Sequence, residues 1–250
     1  MRRLLFLAAA WLCLAGLAFG QEAAAVIFAS GNVQIVAADG TVRPAARGNV
    51  VNSGDTIETG EGKAQVRFRD GATMSLQPGT RFRLDDFRYS DQNGKAGSDD
   101  RSFFSLLKGG FRTITGLIGK EKRSQYRVST TVATIGIRGT DYSALLSDAG
   151  LAVTTFGGLV EVCNDGGCVL VEPGQTATAS DRAKAPIVQG KGSGMDGTGS
   201  VIPELPNPEV LDVPVPGGHE TPQLQRPAGG LGSETGRVSP TNVDVNGTVR

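Results

Sequence analysis

The 250-residue chain is short of the side chains that most often serve in catalysis and metal binding. It contains one histidine, one tryptophan and three cysteines, which are His219, Trp11, Cys13, Cys163 and Cys168. His219 lies in a Gly- and Pro-rich C-terminal stretch, so the rest of the chain has no imidazole for a Ser-His-Asp or Cys-His arrangement. Cysteines without further Cys or His ligands nearby do not complete a metal site. We therefore predict that the protein is not an enzyme and has neither a metal nor a cofactor.

Net charge is also absent, because Lys and Arg total 25 and Asp and Glu total 25. A neutral chain has no electrostatic footprint for nucleic acid, and we expect no nucleic-acid partner. The charges are nevertheless unevenly distributed along the chain. Residues 101–138 contain eight Lys or Arg and one acid, whereas residues 139–180 contain five acids and no Lys or Arg.

Two interpretations of this basic block stay open. Basic strands beside acidic strands would compensate each other locally, which we favour because charge runs are usually solvated faces. Alternatively, the block forms a surface for an anionic partner. The residues of that possible partner surface are Lys108, Arg112, Lys120, Lys122, Arg123 and Arg127.

The first 20 residues predict a cleaved secretory signal peptide. Arg2 and Arg3 precede an apolar stretch from residue 4 to residue 19, and small residues precede a cleavage point after Gly20. An uncleaved membrane anchor is the alternative. Cleavage would leave a periplasmic or secreted protein with no membrane span.

Export would place Cys163 and Cys168 in an oxidising compartment. The Asp165-Gly166 pair between them is a strong signal for a two-residue hairpin turn. With this turn, Asn164 and Gly167 form the first hydrogen-bonded pair. The two cysteines then face each other in the next pair, within disulfide reach. We predict a structural disulfide, with a metal site as the disfavoured alternative.

Short alternating segments between glycine-containing turns predict an all-β domain over residues 26–188. In residues 63–69, for example, Ala64, Val66 and Phe68 alternate with charged or polar side chains, which is typical of a strand with one buried face. Residues 101–107 fit a strand or a short helix equally well. Residues 189–250 contain eight of the 12 prolines and no aromatic side chain. We expect this Gly/Pro-rich tail to be disordered.

The segment 131–142 combines an apolar strand pattern with one arginine. Arg138 comes where another apolar residue would follow Ile137, and Gly139 follows at once. An arginine in this position indicates a buried or half-buried charge with a fixed partner, such as Asp141 or open turn carbonyls. We favour this internal clamp over direct contact between Arg138 and a partner.

Several segments resemble the FecR domain family in their order and spacing. They are residues 54–60, 65–72, 107–112, 126–140, 158–162 and 171–175. The hallmark and expected clamp comprises Ile137, Arg138, Gly139, Thr140 and Asp141. The resemblance implies an all-β fold, a β-roll or solenoid-like sandwich, located outside the cytoplasmic membrane. The family pattern often has Thr-Pro where this chain has Thr131-Val132.

Family members named for ferric citrate regulation are transmembrane anti-sigma regulators, which relay a signal from an outer-membrane TonB-dependent receptor to a sigma factor. Because this chain begins with a predicted signal peptide, we expect it to lack the cytoplasmic sigma-binding part and do not transfer the relay. The resemblance implies a periplasmic or exported β module without enzymatic groups. We predict a non-catalytic exported binding or scaffold module with an envelope protein or glycan as partner. The alternative is an accessory in envelope signalling related to sigma factors and TonB-dependent receptors.

Overall fold

Strands of one branched β-sheet make up most of the chain that the computed structural model describes, residues 21–190. The predicted signal peptide at residues 1–20 and the predicted tail from residue 191 onward lie outside the described residues. The strands are β1 (Glu22–Ser30), β2 (Gln34–Val36), β3 (Val42–Pro44), β4 (Val50–Asn52), β5 (Thr56–Glu58), β6 (Lys63–Phe68), β7 (Thr73–Leu76), β8 (Arg81–Arg88), β9 (Arg101–Ile114), β10 (Tyr126–Ser129), β11 (Thr134–Ser147), β12 (Gly150–Asn164), β13 (Gly167–Val171), β14 (Thr176–Ala179) and β15 (Ile187–Gln189). One short helix, α1 (Leu117–Glu121), and one 3-10 turn (Arg123–Gln125) connect β9 to β10.

The main path of the sheet runs β15-β14-β12-β11-β10-β9-β7-β6-β1-β4. Strand β13 pairs with β12, β8 pairs with β9 and β5, and β2 pairs with β3 and β5. All pairs are antiparallel except β9 with β10. The all-β class is therefore confirmed, and residues 101–107 form a strand. The strand pairing within residues 21–190 does not establish a closed barrel or a solenoid, so the expected β-roll or solenoid-like sandwich stays a prediction.

Long strands that change partners cause the branching of the sheet. The first half of β9 pairs with β8 and β10, and its second half pairs with β7 and β11. In the same way, β12 pairs with β14 near its start and with β13 near its end. A strand that changes neighbours along its length must twist or bend, and bulges supply that change of direction.

A chain of aromatic rings forms the centre of the core. Neighbouring ring centroids lie 5.2–5.9 Å apart along the series Phe87, Phe68, Phe104, Phe82, Phe111 and Tyr142, with Tyr126 against Phe104. These separations suit tilted and edge-to-face ring contacts. The chain of rings joins β6 and β8 to β11, so it fixes the position of the strand that contains the FecR-like hallmark.

Candidate functional site

The hallmark strand β11 points its arginine toward solvent. Ile135 and Ile137 are buried, whereas Arg138 is exposed. The expectation of a buried clamp at Arg138 is therefore wrong. The physical reason is the period of two in a strand, which places Arg138 on the face opposite Ile137.

Thr115, instead of Arg138, holds the hallmark segment in place. The backbone N–H of Thr140 donates to Thr115 Oγ1 at 2.9 Å, and the backbone N–H of Thr115 donates to the carbonyl oxygen of Thr140 at 3.0 Å. Both residues are buried. The sequence contains no distinctive signal for this pair, because the two threonines meet only through the pairing of β9 with β11.

Two glycines make the adjacent bulge between β11 and β12. The register shifts between Arg138 and Asp141. Gly139 has φ +61° and Gly158 has φ +75°, a region that L-residues with a side chain rarely adopt. A Cβ atom on Gly158 would lie 2.0 Å from the carbonyl oxygen of Gly139, so no side chain fits there. A bulge thus follows Arg138, and it needs a glycine on both strands.

Arg112 and Asp141 form the ion pair that joins the basic block to the acidic block. Nε and Nη2 of Arg112 donate to the two carboxylate oxygens of Asp141 at 3.0 Å each. The guanidinium also stacks 4.3 Å from the ring centroid of Phe156. Within residues 21–190, no other basic residue of the block pairs with an acid of residues 139–180. Local compensation therefore accounts for Arg112 and, through Asp86 on β8, for Arg101, and leaves the other basic residues of the block to be explained.

A groove opens beside the hallmark, on the outward face of β11, β12 and β13. Gly136 lies opposite Glu161, which in turn lies opposite Leu170, so the three form one row across the strands. Because Gly136 has no side chain, the floor of the groove is open at this point. The groove has a volume of about 290 Å³. We call it the hallmark groove, and its lining consists of Arg123, Ser124, Gly136, Ile137, Arg138, Leu159, Glu161 and Leu170.

The two arginines of the hallmark groove differ from most other arginines in the described chain. Neither Arg123 nor Arg138 has a side-chain hydrogen bond or ion pair within residues 21–190. In contrast, a carboxylate lies within 4.0 Å of Arg43, Arg69, Arg81, Arg83, Arg101, Arg112 and Arg182. Two residues of the groove lining therefore have guanidinium donors without a carboxylate partner among residues 21–190, and such donors suit an anion.

Most residues of this groove lie in a segment that matches a known protein family. Residues 55–161 match the family model described as FecR protein. The chain contains a FecR domain. The matched segment includes Arg123, Gly136, Arg138 and Glu161, whereas β13 with Leu170 lies beyond it. The family expectation from the sequence is confirmed.

Two solved structures show a weaker likeness. They are crystal structures, at 1.65 Å and 2.50 Å resolution, of a candidate anti-sigma factor from Parabacteroides distasonis ATCC 8503. Each aligns with a TM-score of 0.40, at 17% and 18% sequence identity. The alignments cover 52% of this chain and 56% and 55% of those chains, so they span little more than half of either protein. No curated protein matches the chain.

The disulfide joins the outer rim of the groove, on β13, to the end of β12. Cys163 on β12 and Cys168 on β13 form a disulfide, with their Cα atoms 4.1 Å apart. They lie opposite each other, and Asn164 lies opposite Gly167, which is the register that the Asp-Gly turn predicts. Strand β13 lies just beyond the matched segment and contributes Leu170 to the groove. The disulfide holds this strand against β12.

Asp70 organises the opposite rim, where α1 leads into the turn with Arg123. Its carboxylate accepts hydrogen bonds from the backbone N–H groups of Ala72 at 3.1 Å and Ile118 at 3.4 Å, and its carbonyl oxygen accepts one from Leu117 at 2.9 Å. Burial raises the pKa of this carboxyl above its ordinary value, and the backbone hydrogen bonds oppose that rise. The sequence indicates only a turn at Asp70-Gly71 and gives no sign of this long-range anchor.

None of the four remaining residues of the predicted partner surface lines the hallmark groove. Lys120 and Arg127 are exposed, and the guanidinium of Arg127 stacks 4.6 Å from the ring centroid of Phe103. Lys122 is half-buried between α1 and the 3-10 turn. Lys108 is exposed opposite Arg81 on β8 and does not line the groove. The structure therefore brings Arg123 and the hallmark Arg138 together but leaves Lys108 and the paired Arg112 outside.

Residues 21–190 lack two further features that bear on function, a cluster of metal ligands and a membrane-spanning helix. No group of three or more His, Cys, Asp or Glu side chains within residues 21–190 is placed to bind a metal ion. Within the same range, no helix has the length and apolar character needed to cross a membrane.

Proposed function

We propose that this chain is a non-catalytic binding module of the cell envelope, and that its FecR domain recognises another envelope protein through the hallmark groove. The observation that carries the proposal is the pairing of two available arginines with an apolar side chain in one groove. Leu170 is 48% exposed there, although it is a large apolar residue. Arginine is enriched at protein interfaces, and contact with a partner's apolar side chain would remove the exposed surface of Leu170 from water.

The chemistry of the described side chains supports a binding role over catalysis. Buried carboxylates such as Asp70 and Asp100 accept hydrogen bonds from neighbouring backbone N–H groups, so their oxygens serve the fold. The cysteines of the domain are joined to each other. The groove itself offers guanidinium, hydroxyl and apolar groups beside a single carboxylate, which is a set for recognition and not for proton transfer.

Two independent features support an envelope location. The sequence predicts a signal peptide at residues 1–20, and the disulfide between Cys163 and Cys168 suits an oxidising compartment. We propose the periplasm or the cell exterior as the place where the protein works.

Membership of the FecR family favours a second function, an accessory role in envelope signalling to a sigma factor. The family match covers the hallmark strand and most of the groove lining. In this version of the proposal, the envelope protein bound in the groove is a component of a signalling pathway. A change in the transcripts that depend on a single sigma factor, after loss of this protein, would distinguish signalling from scaffolding.

Site-specific photo-crosslinking tests the binding function. A photoreactive amino acid at position 170 lies in the groove, and one at position 42 is the matched control, because Val42 is 55% exposed on β3. We expect a discrete crosslinked product in living cells from position 170 alone. It should disappear when Arg138→Gln is added. Equal products from both positions, or none from either, would refute the proposed function.

A further inference from the structure

The charge of the hallmark groove selects for an anionic group. Arg123 and Arg138 line it without ion-pair partners among the described residues, and Glu161 is the one acid in its lining. A guanidinium binds a carboxylate through two parallel hydrogen bonds and is less strongly hydrated than an ammonium group. Two such groups facing one groove favour a carboxylate over a neutral ligand.

The same groove selects for an apolar group beside that carboxylate. Leu170 is about half exposed and Leu159 is half-buried, and both line the groove near Glu161. Contact with an apolar side chain would remove this surface from water. A free anion such as phosphate would leave this apolar surface exposed. The groove therefore favours a ligand that has an apolar group beside a carboxylate.

The size of the groove limits what can enter. Its volume of about 290 Å³ lies at the lower end of the range of roughly 300–1,000 Å³ that is usual for cofactors and drug-sized ligands. It is large enough for a few side chains of a peptide. The open floor at Gly136, where the nearest neighbour of an added Cβ would be Glu161 Oε2 at 3.8 Å, leaves room for one of them.

We infer that the hallmark groove binds a segment of a partner protein in which an Asp or Glu stands next to a Leu, Ile, Val or Phe. The carboxylate is held by Arg123 and Arg138, and the apolar side chain packs on Leu159 and Leu170. This inference rests on the proposed binding function and adds the chemistry of the partner. A membrane surface is less favoured, because Arg112 is paired with Asp141 and Lys108 lies away from the groove.

A displayed library of random 12-residue peptides tests this specificity while leaving the partner's identity open. The full chain is the target, and peptides that also bind the Gly136→Val variant are removed. A valine fits the strand at Gly136 and fills the groove floor. We expect the retained peptides to be enriched in Asp or Glu adjacent to Leu, Ile, Val or Phe.

Binding constants of one enriched peptide then separate the two anchors. Arg138→Gln should weaken binding about tenfold, which corresponds to about 1.4 kcal/mol. Arg47→Gln is the matched control, because Arg47 is exposed, lacks an ion pair within residues 21–190 and lies outside the groove. Leu170→Asn should weaken binding about fivefold, and amidation of the peptide acids should match the effect of Arg138→Gln. Thermal unfolding of each variant confirms that the fold is intact.

Three results would overturn the inference: enrichment of neutral or basic peptides, equal binding by Arg138→Gln and wild type, or tight binding to phosphatidylglycerol vesicles that does not depend on Leu170. If crosslinking from position 170 succeeds while the library yields no acidic peptides, the proposed function stands and this inference fails. If both fail, the groove is not a binding site.

Discussion

The buried hydroxyl pair of Tyr126 and Tyr142 provides the sharpest test of how the fold supports the groove. The two oxygens lie 2.8 Å apart in the core, and each hydroxyl is the other's hydrogen-bond partner among the described residues. Tyr126 directly follows the turn that contains Arg123, and Tyr142 lies on the hallmark strand β11. The pair therefore links the rim of the groove to the strand that forms its floor.

Replacing one tyrosine by phenylalanine removes one oxygen and leaves the other hydroxyl buried without a partner. Such an orphaned group costs about 1–3 kcal/mol. We expect Tyr126→Phe and Tyr142→Phe each to lower the free energy of unfolding by about 1.5 kcal/mol. The double variant leaves no unpaired oxygen and should lose about 0.5 kcal/mol, which gives a coupling of about 2.5 kcal/mol.

Urea unfolding followed by circular dichroism measures all four corners of this cycle. Tyr89→Phe is the control, because Tyr89 is buried but its hydroxyl has no hydrogen bond to another described residue. Its free energy of unfolding should change by less than about 0.5 kcal/mol. If the two single changes add to give the double variant, the hydroxyl pair is not the coupled unit that the 2.8 Å contact implies.

Two further changes test the hallmark bulge and the rim anchor. Gly158→Ala should lower the melting temperature strongly, because the added Cβ would lie 2.0 Å from a backbone carbonyl oxygen and residue 158 has φ +75°. The control Gly136→Ala should leave the melting temperature nearly unchanged. Equal effects of the two changes in calorimetry would contradict this. Asp70→Asn should remove a pH-dependent contribution to stability. The pKa of Asp70 is raised above 3.8 in the folded state, so its stabilisation is complete below pH 3.8 and is lost as the pH rises through the folded pKa. Relative to the Asn variant, the wild type should therefore lose stability as the pH rises from about 4 toward neutrality, and a constant difference in thermal unfolding across this range would disprove it.

Features that depend on neighbouring residues were predictable from the sequence. Alternation placed Ala64, Val66 and Phe68 in the core, and glycine turns indicated short strands. The opposed cysteines followed from a two-residue turn, because a hairpin sets its own register. The order of several weak segments was enough to predict the FecR family, which the family match confirms.

The orientation of Arg138 differs from the expectation, although the sequence contains the information that decides it. Ile135 and Ile137 are buried, so the period of two already places Arg138 on the opposite face. The apolar neighbours of Arg138 indicate burial only for their own face of the strand. The bulge formed by Gly139 and Gly158 follows Arg138 and does not change its face.

The sequence by itself indicated strands, turns and the disulfide partners, because each depends on short-range periodicity or on residues close in the chain. It also indicated the family, through the order and spacing of several segments along the chain. Only the tertiary structure decided which residues form the groove. Arg123, Gly136, Glu161 and Leu170 come from four separate segments, and strand pairing and the rim contacts of Asp70 bring them together. Such long-range contacts leave no periodic trace in the sequence, since each depends on where the whole sheet places its strands.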